Sequence, residues 1–206
     1  MQRSRQSVND KQVKELLYQA LETEIGGQQV YQAAIECAQE KELQEEWQKY
    51  LEETTNHERV LRETFSKIGL DPEVETPGRK VVRSKAEGLV KAMRMALAEG
   101  GGEAAQLCAA ESVVEAETKD HQNWELIGRI AGQSKGEMKA ALQEAYEQVE
   151  EEEDEHLYHT MGWARELWIK SLGMPAVIPP PEEEKKVKTA IGAARAEQER
   201  ESMLRR

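Results

Sequence analysis

LQEAYEQVEEEEDEHLYHTMGWAREL, residues 142–167, is the stretch whose reading decides the fold. Taken at alternating steps of three and four it yields Leu142, Tyr146, Val149, Glu153, His156, Thr160, Trp163 and Leu167. This is the stripe that one face of an α-helix turns towards a core. It is apolar at both ends and polar in the middle. Residues three apart lie on one helical face, so Glu153 and His156 of Glu153-Asp-Glu-His156 can point at a single ion. The rest of the acidic run from Glu150 to Glu155 reads as a solvated face, and only its place on the stripe singles out Glu153.

The same walk outward from this stretch gives three more stripes. The first is Leu17, Leu21, Glu24, Gln28, Tyr31, Ile35 and Ala38; the second is Leu43, Trp47, Tyr50, Thr54, His57 and Leu61. The third is Leu107, Ala110, Val114, Glu117, His121, Trp124, Gly128 and Ala131. The periodicity predicts long helices over Lys11–Ala38, Lys41–Ile68, Glu103–Ala131 and Glu137–Ser171, with Gly69-Leu70-Asp71-Pro72 and Leu172-Gly173-Met174-Pro175 as stop signals. Between the second and third, Asp71–Gly78 reads as loop and Ser84–Ala98 as a short amphipathic helix lying across the bundle, broken by Gly100-Gly101-Gly102. Two hairpins joined by one long crossover predict an all-α, antiparallel four-helix bundle over residues 1–173. Residues 174–206 read as a spacer through Pro179-Pro180-Pro181 and a C-terminal helical tail. Ala190, Ile191, Ala193 and Ala194 give that tail a surface for docking, within the monomer or across a homodimer.

Composition supports the helices and narrows the function. Charged residues make up 33% of the 206, aromatic residues only 5%, and the formal net charge is −12. That charge repels a phosphate backbone, and the basic stretch from Arg79 to Arg94 is sparse, so nucleic acid is not an expected partner. No apolar run reaches the roughly 20 residues that span a bilayer, and Met1–Lys14 has no signal-peptide core. The expectation is a cytoplasmic protein without a membrane partner. Cys37 and Cys108 stand apart with no Cys-x-x-Cys pairing and read as buried free thiols.

The polar centres of the stripes carry the chemistry. A buried carboxylate without a partner costs several kcal/mol, whereas a whole domain is stable by only about 5–15 kcal/mol. Bound divalent metal removes the conflict by turning carboxylates and imidazoles into ligands. Carboxylate-bridged two-metal bundles take one Glu from each of two helices and Glu-x-x-His from each of the other two. Glu24 and Glu117 fit the single-Glu role, and Glu153 with His156 fits the paired one. The second helix offers His57 but has Thr54 where a Glu belongs, so Glu53 or Glu58 must substitute. The candidate metal ligands are therefore Glu24, Glu53, His57, Glu117, His121, Glu153 and His156. His159 is an outer partner or an alternative ligand, and Glu111 and Asp120 are held in reserve. Tyr31, Trp124 and Trp163 read as core aromatics.

On these residues the chain resembles the ferritin-like superfamily over about Leu16–Leu172. The marks are Glu24 with Tyr31, Glu117 with Trp124, His57, and the segments Glu117-Thr-Lys-Asp-His121 and Glu153-Asp-Glu-His156-Leu-Tyr-His159-Thr160. The two halves, Glu24 to His57 and Glu117 to His156, also look like a weak internal repeat. The nearest likeness is to uncharacterised bacterial ferritin-like proteins, more distantly to bacterioferritins, rubrerythrins and manganese catalases. The resemblance implies a centre holding at most two iron or manganese ions per chain. If that centre is redox-active, its expected substrate is a small oxidant, dioxygen or hydrogen peroxide, in stress protection. The alternative is a non-catalytic bundle that binds or supports other molecules without metal, its inner polar residues forming a hydrogen-bonded network.

Overall fold

A computed structural model describes residues 9–175, and they are all-helical, with no strand among the described residues. The tail after 175, and with it the expected homodimer contact, lies outside these residues. Helix α1 spans Asp10–Cys37, α2 Lys41–Lys67, α3 Pro77–Gln133 and α4 Gly136–Ser171. Asn9 caps α1 by accepting from the Gln12 N–H at 3.3 Å. The end of α2 is closed by Gly69 at φ 70°, beside a Leu70 N–H to Phe65 carbonyl bond of 2.9 Å.

The region between the two hairpins departs from the sequence reading. Helix begins at Pro77 rather than Ser84, because Pro77 opens the first turn and the Thr76 hydroxyl accepts from the Arg79 N–H at 3.2 Å. Of the three glycines only Gly101, at φ 77° and ψ −176°, leaves helical geometry. It divides α3 into two arms, residues 77–100 and 102–133.

The first arm does not cross the bundle. It runs lengthwise beside α1 in the same direction, with Arg79 and Arg83 at Glu22, Ala86 at Gly26 and Met93 at Cys37. A Cβ added at Gly26 would sit 2.7 Å from that of Ala86, so the absence of a side chain is what lets these helices touch. The second arm returns antiparallel to α1, pairing Gln106 with Gln39 and Trp124 with Glu24. Helix α4 packs antiparallel to both α2 and that arm, as the Lys67–Glu144 and Lys49–Glu155 ion pairs and the His121–Asp154 contact show. The arrangement is compatible with a four-helix bundle with the first arm of α3 laid against its side.

The core comes in two apolar blocks. Tyr31, Leu43, Trp47, Met93, Val113 and Trp163 belong to one; Leu17, Leu21, Leu61, Phe65, Ile127 and Leu142 belong to the other. Each such side chain contributes about 1.5–3 kcal/mol by its removal from water. Between the blocks lies a buried polar layer of Glu24, Thr54, His57, Glu117, Asp120, Glu153 and His156. No helix is long and apolar enough to cross a membrane among the described residues.

Candidate metal centre

Every long helix contributes to the polar layer: Glu24 from α1, His57 from α2, Glu117 and Asp120 from α3, Glu153 and His156 from α4. All six are buried, none more than 3% exposed. Ligand atoms of His57, Glu153 and His156 lie within 4.8 Å of one another, and so do those of Glu24, Asp120 and Glu153. Glu153 belongs to both groups. Glu117 adjoins the first, its Oε2 3.7 Å from His156 Nδ1.

These side chains converge as close charges with few hydrogen bonds among them. Glu24 Oε2, His57 Nδ1, Glu117 Oε2, Asp120 Oδ1, both Glu153 oxygens and His156 Nδ1 are buried with no hydrogen-bond partner among the described residues. His57 Nδ1 comes within 2.9 Å of Glu153 Oε1, but not in line for a hydrogen bond. Each unsatisfied buried group costs about 1–3 kcal/mol, and more when charged.

The outer nitrogens of both histidines are held. His57 Nε2 lies 2.7 Å from Glu152 Oε2, and His156 Nε2 lies 3.0 Å from Glu53 Oε2. A carboxylate on one imidazole nitrogen fixes the ring and its tautomer, leaving the other nitrogen to face inward as a donor to metal. Glu53 also carries the Lys49 ammonium at 3.2 Å. Glu24 Oε1 accepts from the Trp124 indole N–H at 2.8 Å, leaving Oε2 for the interior.

Proton affinities follow from this crowding. Burial, then the charges of Asp120 and Glu153, push the Glu24 carboxyl well above the usual range against the Trp124 bond. Burial with Glu153 and Glu117 does the same to Asp120, and burial raises Glu153 although His57 opposes it. Burial disfavours the charged form of His156, yet Glu117 and Glu53 overcome it and lift the imidazole to about 10. His57 is raised in the same way by Glu152 and Glu153. Without a cation the layer holds protons where positive charge is needed.

Of the sequence-derived candidates, the structure brings Glu24, His57, Glu117, Glu153 and His156 together. Glu53 stands outside as the carboxylate behind His156. His121 is 27% exposed in its side chain and contacts Asp154 at 3.2 Å, away from the layer. One position changes the outcome: Glu117 is followed three residues later by Asp120, the same spacing as Glu153 and His156, whereas His121 is rotated by about 100°. Thr54 is buried against Gly27 and brings no carboxylate, and Glu58 binds Gln28 and Arg62 at the surface. Glu111 accepts from Trp168 far from the layer. Glu152 was hidden in the acidic run, where nothing local distinguishes it from its neighbours.

Aromatic rings wall the layer. The Tyr50 ring lies 4.3 Å from His156, and its hydroxyl is 2.6 Å from Glu46 and 2.7 Å from His159. Trp163 donates to the same Glu46 at 2.8 Å. Tyr31 is buried beside His156 with its hydroxyl unpartnered, and burial together with Glu117 raises its proton affinity. No family model, no curated protein and no solved structure matches this chain.

Proposed function

We propose that the chain is a cytoplasmic metal-binding protein of ferritin-like architecture, with a two-metal carboxylate–histidine centre of iron or manganese in the polar layer. The observation that carries this reading is the convergence, from four helices, of seven buried ligand atoms that make no hydrogen bond among the described residues. A hydrogen-bonded polar core, the non-catalytic alternative, pairs such atoms with one another. Here the histidines reach only ion-pair distance of Glu153 and Glu117 without forming hydrogen bonds, and a cation would satisfy all seven atoms.

The donor set fits the metals named. Oxygen-rich sites with a few imidazoles suit iron and manganese, whereas structural zinc sites are tetrahedral and rich in sulfur or nitrogen. His57, His156, Glu117 and Glu153 would hold one ion, and Glu24, Asp120 and Glu153 the other. Two adjacent ions of variable oxidation state supply the electron pair that reduction of dioxygen or peroxide requires.

The protein's own groups do the rest. Glu53 and Glu152 keep the histidines facing inward. The Tyr31 hydroxyl, beside Glu117, is a hydrogen-bond donor that would orient a small oxidant. Tyr50, Trp124 and Trp163 keep bulk water out. A role in protection against oxidants follows from this substrate class and from the ferritin-like resemblance, and the net charge of −12 argues against nucleic acid as partner.

The test is elemental mass spectrometry on the full chain purified without chelator and after reconstitution, beside the Glu153→Ala, His156→Ala double variant. About two iron or manganese ions per chain, lost in the variant, is the expected result. Ferrous-oxidation and peroxide-consumption assays then decide the reaction. No metal in either protein after reconstitution overturns the reading.

A further inference from the structure

A second feature lies outside the polar layer. The first arm of α3, the second arm and α1 leave a cleft between them with a cavity volume of about 660 Å³. This is within the range of small-molecule sites, about 300–1,000 Å³. Val30, Val81, Val82, Leu89 and Val114 give it apolar walls. Gly88 opens onto it, since a Cβ there would meet nothing within 4 Å.

One part of the cleft is cationic. Lys85 from the first arm and Lys119 from the second both line it. Lys119 is half-buried and its ammonium contacts the Asn123 side-chain oxygen. Asn123 in turn donates to the Thr23 hydroxyl at 3.0 Å on the cleft floor, so Lys119 is held in place rather than free to swing into solvent. Glu115 also lines the cleft, but among the described residues it forms no ion pair with either lysine. Lys67 and Lys170 each have a carboxylate to hand, Glu144 and Glu40. Lys85 and Lys119, at the edge of an apolar cleft, form no ion pair among the described residues, although the Asp120 charge lies near Lys119.

We propose that this cleft binds a linear aliphatic carboxylate, its carboxylate between Lys119 and Lys85 and its hydrocarbon chain against the valine and leucine walls. An apolar ligand without the anion would leave both ammonium groups without an ion-pair partner, and a small inorganic anion would leave the walls wet. The amphipathic acid answers both. The site is distinct from the metal centre: none of Glu24, His57, Glu117, Asp120, Glu153 and His156 lines the cleft.

The experiment is calorimetric titration of the full-length protein with decanoate, with decanol as the uncharged control. Expected are one decanoate per chain and at least tenfold weaker binding of decanol. Lys119→Met, which keeps the apolar stem, should weaken decanoate at least tenfold and leave decanol unchanged. Gly88→Leu should weaken both by filling the cleft, and since Leu favours helix over Gly the fold is retained. Metal content and far-ultraviolet circular dichroism are measured on each variant, so that loss of the metal centre is told apart from loss of this site. Absence of decanoate binding up to millimolar concentration overturns the proposal, as does equal affinity for acid and alcohol or an unaltered Lys119→Met. A dimer by light scattering that dissociates in Gly88→Leu also overturns it and assigns the cleft to a second copy of the chain.

Discussion

Glu22 and Glu24 sit two residues apart on α1, both essentially buried, and their surroundings are opposite. Glu22 is held by the Arg79 guanidinium at 2.8 Å and the Arg83 guanidinium at 2.7 Å. Arg79 is itself tied to the Pro72 and Val74 carbonyls at 2.6 and 3.0 Å, fastening the first arm of α3 to the loop before it. Glu24 has the Trp124 indole on one oxygen and nothing on the other, and its nearest cationic candidate, His57 Nδ1, is 3.8 Å away among carboxylates. One buried carboxylate is satisfied by the chain; the other keeps an oxygen without a hydrogen-bond partner among the described residues. The difference separates a structural ion pair from the site proposed for metal.

The comparison breaks most sharply through metal. Loading with manganese at a thousand times its dissociation constant should stabilise the protein by about 4 kcal/mol. For a chain of this size that raises Tm by roughly 8–16 °C, and chelation reverses it. No shift on loading would remove the distinction between the two carboxylates. Glu22→Ala should cost about 3 kcal/mol in urea unfolding, with or without metal, because it strands a buried guanidinium. This is near the low end for such losses because Arg83 is 40% exposed and partly solvated. Glu24→Gln should do the reverse. The apo protein should be unchanged or stabilised by about 1 kcal/mol, since an unpaired acid is replaced by a neutral amide. Its gain from manganese should be largely lost.

Acidity sharpens the same contrast. Glu24, Asp120 and Glu153 titrate higher in the folded protein than unfolded, so their contribution is fully present below about pH 4 and is lost as pH rises through the folded values. His57 and His156, also raised, add a contribution fully present below about pH 6.5 and lost as pH rises through their folded values, about 10 for His156. The apo protein should therefore lose stability progressively as pH rises from about 4 towards 10. Metal competes with these protons, so the Tm gain from manganese should grow over the same interval and each binding event should release protons. A gain independent of pH would place the metal elsewhere. Smallest of all, His121→Ala should change metal content not at all and stability by less than about 0.5 kcal/mol, as for an ordinary surface position.

How far the sequence led depends on the side chain. Helical period exposed Glu24, His57, Glu117, Glu153 and His156 because each interrupts an apolar stripe, and a buried polar residue stands out against apolar neighbours. Asp120 and His121 are adjacent, and there residue type misled: imidazole looks more like a ligand than a carboxylate does, but three steps from Glu117 lands on Asp120. Glu53 and Glu152 were illegible in their roles because they act through space on histidines about 100 residues away in sequence. The path of the first α3 arm was likewise undecided by its own residues. It depends on Gly26 admitting Ala86 and on Glu22 meeting two arginines, contacts between segments that no single period encodes.

Trp124 has a consequence of an optical kind. Its indole is fixed by Glu24 and its ring lies 6.2 Å from His57, so it touches both halves of the polar layer. Trp47 and Trp163 are equally buried but lie in the other apolar block, and Trp168 is 42% exposed. A paramagnetic ion in the layer would quench the emission of Trp124 before that of the others, and Trp124→Phe would remove that signal. The chain thus carries its own fluorescent gauge of occupancy, readable during titration without a dye.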